Sequence, residues 1–261
     1  MDNDDTPLGR ILTRREVLAL FGVTVAAACA PAAITSPSPT IARTATPTSP
    51  AGTAAAAASM TIASPQCLAV PALTEGPYFV DEKLDRSDIR ADATGGSPRP
   101  GAQLDLFIQV GRMAGGACAA IQGATVDLWH CDALGVYSDA ADPTFNTKGQ
   151  QWLRGLQTTD TSGIAKFTTI YPGWYPGRAV HIHFKVRTAL GSQTADFTSQ
   201  FFFDEALNDK VLAAAPYSQK AASGRLRNER DDIYRLSNGK TQLNVTQNGS
   251  IYTATFSLGL A

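Results

Sequence analysis

Alternating apolar and polar positions organise the chain from about residue 104 onward. Leu104, Leu106, Ile108 and Val110 alternate with Asp105, Phe107 and Gln109, the period-two pattern of a strand with one face buried. Similar short runs follow at 124–130, 163–170, 179–187, 197–203, 241–246 and 250–258. Turn sequences separate them, among them Asp160-Thr161-Ser162-Gly163, Tyr171-Pro172-Gly173 and Asn248-Gly249. Strands at this spacing predict an all-β domain, a β-sandwich core with loops and one or two short helices. The helical stretch is expected over about 209–222, with 204–207 placed to start it.

The first 66 residues show no such alternation. Residues 1–16 are polar and include Thr13-Arg14-Arg15, and Val17 to Ala30 are almost entirely small and apolar. Crossing a bilayer takes about 20 apolar residues, so this stretch reads as an export signal peptide rather than a span. Arg14-Arg15 directly before the apolar run resembles a twin-arginine signal, an ordinary secretory signal being the alternative. Residues 31–66 are mostly Ala, Thr, Ser and Pro, with Arg43 their only charge. Such a segment has too little large apolar surface to offset its ordering entropy and is expected to be a disordered tether. Cys29, at the junction, is a candidate for lipid attachment in a cell-surface lipoprotein, although Ala26-Ala27-Ala28 before it lacks the usual leucine. Release as a secreted protein is the other outcome. The expected organisation is a signal at 1–30, a linker at 31–66 and one domain at 67–261.

Charge narrows the partners. With 22 Lys and Arg against 23 Asp and Glu, the formal net charge is -1. That leaves no electrostatic footprint for nucleic acid and no general attraction to anionic membranes, so a lipid at Cys29 is the one membrane link expected. Oligomeric state is left open. No Gly-rich phosphate loop and no GxSxG nucleophile turn occurs in the chain. With Cys29 used or removed, Cys67, Cys118 and Cys131 remain, enough for one disulfide outside the cytoplasm. Cys118 and Cys131 flank the strand at 124–130, whose rise of ~3.3 Å per residue holds its ends apart. Cys67 is therefore expected to pair with one of the other two; three free thiols are the alternative.

Candidate chemistry is concentrated between Tyr137 and His183. In the strand 179–187, Val180, Ile182, Phe184 and Val186 form an apolar face, leaving His181, His183 and Lys185 together on the other. Two imidazoles two residues apart on a strand can reach one metal ion, although for a bare HxH a solvated polar face is the more common explanation. The chain has only 3 histidines, and two are here. Just upstream, Tyr171-Pro172-Gly173-Trp174-Tyr175-Pro176-Gly177-Arg178 forms a stiff turn presenting a phenol and a guanidinium. His130, the remaining histidine, is read as structural.

Several segments together resemble the intradiol ring-cleavage dioxygenases, the family of catechol and protocatechuate dioxygenases. They are Thr74-Glu75-Gly76-Pro77-Tyr78-Phe79, Arg86-Ser87-Asp88-Ile89, and Leu128-Trp129 through Gly135-Val136-Tyr137. Thr158-Thr159-Asp160, Pro172 to Pro176, Arg178 to Phe184 and Gln200 before Phe201-Phe202 continue the series. They stand in family order over roughly 74–203.

The resemblance implies a non-haem Fe(III) centre held by Tyr137, Tyr175, His181 and His183. Phenolate is a hard anionic donor and imidazole suits iron, whereas structural zinc prefers Cys and His. It also implies a small aromatic diol as substrate, O2 as co-substrate, and ring cleavage between the two hydroxyl-bearing carbons to a muconate-type diacid. Tyr175 would be the ligand that the diol displaces, its phenolate then taking a substrate proton. Arg178 and Gln200 match residues near the bound ring, and Thr74, Pro77 and Tyr78 match one pocket wall. The helical N-terminal region of the catechol-cleaving branch is missing, so the chain resembles the protocatechuate type or an exported branch more closely. Two other classes remain at this point: an extracytoplasmic β-sandwich module binding carbohydrate or protein, and a metal-binding protein without turnover.

Overall fold

The computed structural model describes residues 67–114 and 117–260. The signal at 1–30, the candidate lipid site Cys29 and the tether at 31–66 lie outside the described residues. Eleven strands and two short α-helices are described: β1 (Gln103–Ala114), β2 (Ala117–Ala120), β3 (Thr125–Trp129), β4 (Ala141–Asp142), β5 (Phe145–Asn146), β6 (Arg154–Thr158), β7 (Ile164–Ile170), β8 (His181–Leu190), β9 (Gln193–Phe202), α1 (Glu205–Leu212), α2 (Asp232–Ser237), β10 (Val245–Asn248) and β11 (Ile251–Leu260).

Two sheets form the sandwich. One runs β10-β11-β1-β2 with β7 also on β1, and the other runs β6-β3-β8-β9. The pairing of β1 with β11 is parallel, and the other ladders are antiparallel. The core between the sheets is built from the positions that alternation marked. Leu104, Leu106, Ile108 and Val110 of β1 pack in one cluster with Val126 and Leu128 of β3 and with Val180, Ile182, Phe184 and Val186 around β8. Phe184 stacks on Phe201 of β9 with ring centroids 4.1 Å apart, and Phe201 meets Phe256 of β11 edge-on at 4.8 Å.

The C-terminal part corrects the expected helix. A single helix over 209–222 does not form. Asp204 caps α1 by accepting from the amides of Ala206 and Leu207, and the helix ends at Leu212. Pro216 lacks an amide proton and disfavours helical backbone at the residue before it, so the remainder breaks into single 3-10 turns at Tyr217–Gln219 and Ala222–Gly224. The second helix, α2, starts at Asp231, whose side chain accepts from the amides of Ile233 and Tyr234. The strand expected at 241–246 is displaced to β10. Thr241 and Leu243 instead bond to the end of β9, through Phe202 N to Thr241 O at 3.1 Å and Leu243 N to Phe202 O at 2.8 Å. The short strands β2, β4 and β5 carry too few alternating positions to be read from the sequence.

Cys67 pairs with Cys118, and Cys131 is a buried free thiol. The bridge fastens the start of the described chain to the sheet, where Leu68 N donates to Ser257 O at 3.1 Å and Gly259 N to Leu68 O at 2.9 Å. Among the described residues, no helix is long and apolar enough to cross a membrane.

Candidate metal centre

The second face of β8 is polar yet covered. His181 and His183 are each only 2% exposed, which removes the solvated-face reading of the HxH pair. Three neighbours cover them. Trp129 pairs with His183 in the β3–β8 register and its ring stacks on the imidazole, 5.0 Å between centroids and 9° between planes. Gln200 pairs with His183 from the other side, on β9. The segment 74–79 crosses above, and at Gly76, where φ is +72°, a Cβ would lie 3.1 Å from His183 Cε1. Both the left-handed backbone and the close approach favour glycine there.

Two loops bring phenols to the same place. Tyr137 follows β3 and is buried, and Tyr175 stands half-buried in the turn before β8. Tyr137 Oη lies 3.4 Å and Tyr175 Oη 3.3 Å from His181 Nε2, and the two histidine Nε2 atoms are 3.0 Å apart. His181 Nδ1 donates to the carbonyl of Ala179 at 2.7 Å, which turns the lone pair of Nε2 toward the other three donors. Nδ1 of His183 is buried without a protein partner, so the stacked Trp129 ring orients this imidazole.

Electrostatics keep both imidazoles and the Tyr137 phenol neutral in the absence of a cation. Burial pushes His181 down to about 3, with the Arg178 charge adding to the effect, and pushes His183 well below its ordinary value, with His181 adding. Burial, then the neighbouring Tyr175, raises the Tyr137 phenol well above 10. A cation reverses this balance for a phenol, because it favours the charged form. Donors that share one ion at about 2.0–2.2 Å stand roughly 3–3.5 Å apart, so the spacing here fits a shared metal ion. No group of three or more His, Cys, Asp or Glu able to hold a metal lies among the described residues. The two imidazoles and two phenols therefore match neither a Cys/His zinc site nor a two-histidine, one-carboxylate site.

Around the tetrad lie the other expected residues. Arg178 donates from Nη2 to Gln200 Oε1 at 2.6 Å, and Gln200 Nε2 donates to the Thr74 carbonyl at 2.9 Å. Tyr78 stacks on Tyr137 at 4.5 Å and its hydroxyl donates to Asp142 at 2.9 Å. Pro77 is exposed at the turn before Tyr78. Three supporting residues have no role assigned from the sequence: Trp129, which stands there only within a family segment, Asp142 and Asp231. Asp231 Oδ2 accepts from Arg178 Nε at 3.1 Å and from Ala179 N at 2.7 Å. Its helix-capping role had a local signal, the Asp231-Asp232 pair before Ile233, but its pairing with a residue 53 positions away had none.

His130 is fully buried, its Nδ1 2.8 Å from the Cys131 carbonyl and its Nε2 2.6 Å from Thr169 Oγ1, as the structural reading expects. Burial holds it to about 4 against an ordinary 6.5. As pH falls below 6.5 the unfolded chain takes up this proton first, so stability is lost between 6.5 and about 4. At pH 5 the loss from this group is about 2 kcal/mol. Urea unfolding of the protein and of His130→Asn at pH 7 and pH 5 checks this: the stability gap between them is expected to narrow by that amount.

A family model described as Dioxygenase matches residues 74–245. The structure superposes on an intradiol ring-cleavage dioxygenase from Tetranychus urticae with a TM-score of 0.62 and 31% identity, covering 75% of this chain and 94% of that one. The chain belongs to the intradiol ring-cleavage dioxygenase family. That membership sets aside the binding-module class. A second family structure, the dioxygenase domain of a carbohydrate-binding fusion from Streptomyces sp. SirexAA-E, matches with a TM-score of 0.51 and 26% identity over 74% of this chain and 97% of that one. Among curated proteins, catechol 1,2-dioxygenase 2 of Acinetobacter lwoffii is 28% identical over 122 residues, 38% of this chain and 42% of that protein. The chain thus aligns with less than half of that relative's length. Intradiol dioxygenases are oxidoreductases, and the tetrad of Tyr137, Tyr175, His181 and His183 lies within the matched residues.

Proposed function

We propose that this chain is a non-haem Fe(III) dioxygenase that opens the ring of a catechol-type diol between its two hydroxyl-bearing carbons with O2, giving a muconate-type diacid. The observation that carries the reading is the convergence on His181 Nε2 of two phenol oxygens and the Nε2 of His183, each 3.0–3.4 Å from it. Two phenolates offset much of the charge of a trivalent ion and so favour Fe(III) over Fe(II). The bound ferric ion would draw electron density from a chelated diol and make its ring reactive toward O2.

The chain's own residues supply positioning and proton transfer. Tyr175 is the more exposed phenol, so it is the ligand that an incoming diol displaces at least cost in packing. Its released oxygen accepts a substrate proton as a general base. Arg178, held by Asp231 and Gln200, keeps a fixed positive charge where anionic character develops on the substrate. Tyr78 and the backbone at Thr74 form the adjoining wall.

The site of action we propose is outside the cytoplasm. The Cys67–Cys118 disulfide supports an oxidising compartment, in keeping with the export signal read at 1–30 and a tether, with or without lipid at Cys29. A twin-arginine route exports folded protein, which allows iron loading first.

The test is visible absorption and iron quantitation of the purified chain, before and after anaerobic catechol. A phenolate-to-iron band that shifts with catechol is expected. In Tyr175→Phe, turnover is expected to fall by about 10²–10⁴-fold, the range for losing a general base. A protein that stays colourless and iron-free when iron is offered overturns the reading.

A further inference from the structure

The two loops that carry the phenols are joined by one side chain from a distant part of the chain. Lys220 Nζ donates to the Leu134 carbonyl at 3.0 Å and to the Trp174 carbonyl at 2.8 Å. Leu134 belongs to the turn that leads into Tyr137, and Trp174 immediately precedes Tyr175. The ammonium also lies 4.5 Å from the centroid of the Trp174 ring. The Trp174 carbonyl is part of the same planar peptide unit as the Tyr175 amide, so whatever fixes that oxygen fixes the plane from which Tyr175 departs.

The loops approach each other closely at this point. A Cβ on Gly135, where φ is +86°, would stand 2.2 Å from the Trp174 oxygen and 2.9 Å from Lys220 Nζ. Gly173 N donates to the Asp132 carbonyl at 3.1 Å just below. Two carbonyl oxygens directed at one spot repel unless a cation stands between them, and Lys220 supplies it. Its own backbone is set by the 3-10 turn Tyr217–Gln219, through Lys220 N to Tyr217 O at 3.0 Å.

We propose that Lys220 is a positioning residue for Tyr175: it locks the Trp174–Tyr175 peptide to the Tyr137 turn, and so fixes the place that the Tyr175 phenol leaves and returns to as the diol binds. This inference rests on the metal-centre reading given above. Lys220 acts through two backbone carbonyls. Outer-shell contacts of this kind typically change affinity or activity by about 10–100-fold.

The experiment compares the full chain with Lys220→Met and Lys220→Arg. In the iron-loaded protein, Lys220→Met is expected to keep iron stoichiometry, because Tyr137, His181 and His183 are untouched. Its resting phenolate band is expected to shift and its kcat to fall by about 10–100-fold. Lys220→Arg, which can still donate to both carbonyls, is expected to recover most of both. In the metal-free protein, exchange of the amide hydrogens of Tyr175, Gly177 and Arg178 is expected to quicken about tenfold in Lys220→Met, with the β-sheet amides unchanged. An unshifted band with unchanged kcat overturns the proposal, as does an exchange rate that rises uniformly over the molecule, which marks a loss of stability alone. If the parent protein binds no iron, the function proposed above fails, while the exchange measurement still decides whether Lys220 holds the Tyr175 loop.

Discussion

Asp231→Ala is expected to lower the unfolding free energy by about 3–5 kcal/mol, the range for breaking a buried ion pair from one side. Asp231 is 1% exposed and Arg178 5%. One carboxylate oxygen accepts from Arg178 Nε and Ala179 N, and the other caps α2 through the amides of Ile233 and Tyr234. The alanine variant takes a carboxylate away from a buried guanidinium and removes a helix cap at the same time. Burial alone pushes the Asp231 carboxyl up, but Arg178 and the backbone amides of Ala179 and Tyr234 outweigh it and hold the group below its ordinary range. The stability it contributes is therefore present above the unfolded carboxylate value and is lost as pH falls through the folded one. Asp231→Asn keeps a capping oxygen and is expected to lose less. Because Arg178 also bonds Gln200, turnover is expected to fall in the alanine variant even under conditions where it stays folded. Urea titration at pH 7 gives the first quantity, and kcat with catechol in the absence of denaturant gives the second. A loss of stability below about 1 kcal/mol would mean that water replaces the carboxylate at little cost.

Removal of the Cys67–Cys118 bridge is expected to have an effect of similar size. The bridge closes a loop with a sequence separation of 51. Loop-closure entropy for that length corresponds to about 4 kcal/mol, released to the unfolded chain when the link is cut. In the folded state the neighbouring Leu68 is held to the sheet by two backbone hydrogen bonds, with Ser257 and Gly259. The Cys67→Ser, Cys118→Ser double variant avoids leaving a reactive thiol, and its urea midpoint against the parent protein gives the loss. Cys131 is fully enclosed, and burial pushes its thiol far above the ordinary range, so it is not expected to form a replacement disulfide. Retention of full stability in the double variant would show that the sheet contacts of residue 68 suffice.

Both effects trace to contacts far apart in the chain, and this marks where the sequence stops being legible. The strand pattern was readable because alternation is a local property. Val180, Ile182, Phe184 and Val186 enter the core as their spacing requires, and each is 0% exposed. The helix expected over 209–222 ends at Leu212 instead, because Pro216 lacks an amide proton and disfavours helical backbone before it. The disulfide was narrowed to Cys67 with one of two partners, since strand rise separates Cys118 from Cys131; which partner it takes depends on how the first described residues cross the sheet.

The sequence by itself determined the face on which His181 and His183 stand and the family that the order of its motifs resembles, and that resemblance pointed to Tyr137 and Tyr175. Those follow from side-chain alternation along one strand and from motifs short enough to be local. Only the tertiary structure decided that this polar face is covered, that Trp129 stacks on His183, that Asp231 neutralises Arg178 and that Lys220 bridges the two phenol loops. The physical reason is range: a strand fixes neighbours two residues apart, while contacts across 53 or 86 positions depend on where separate loops are carried by two packed sheets.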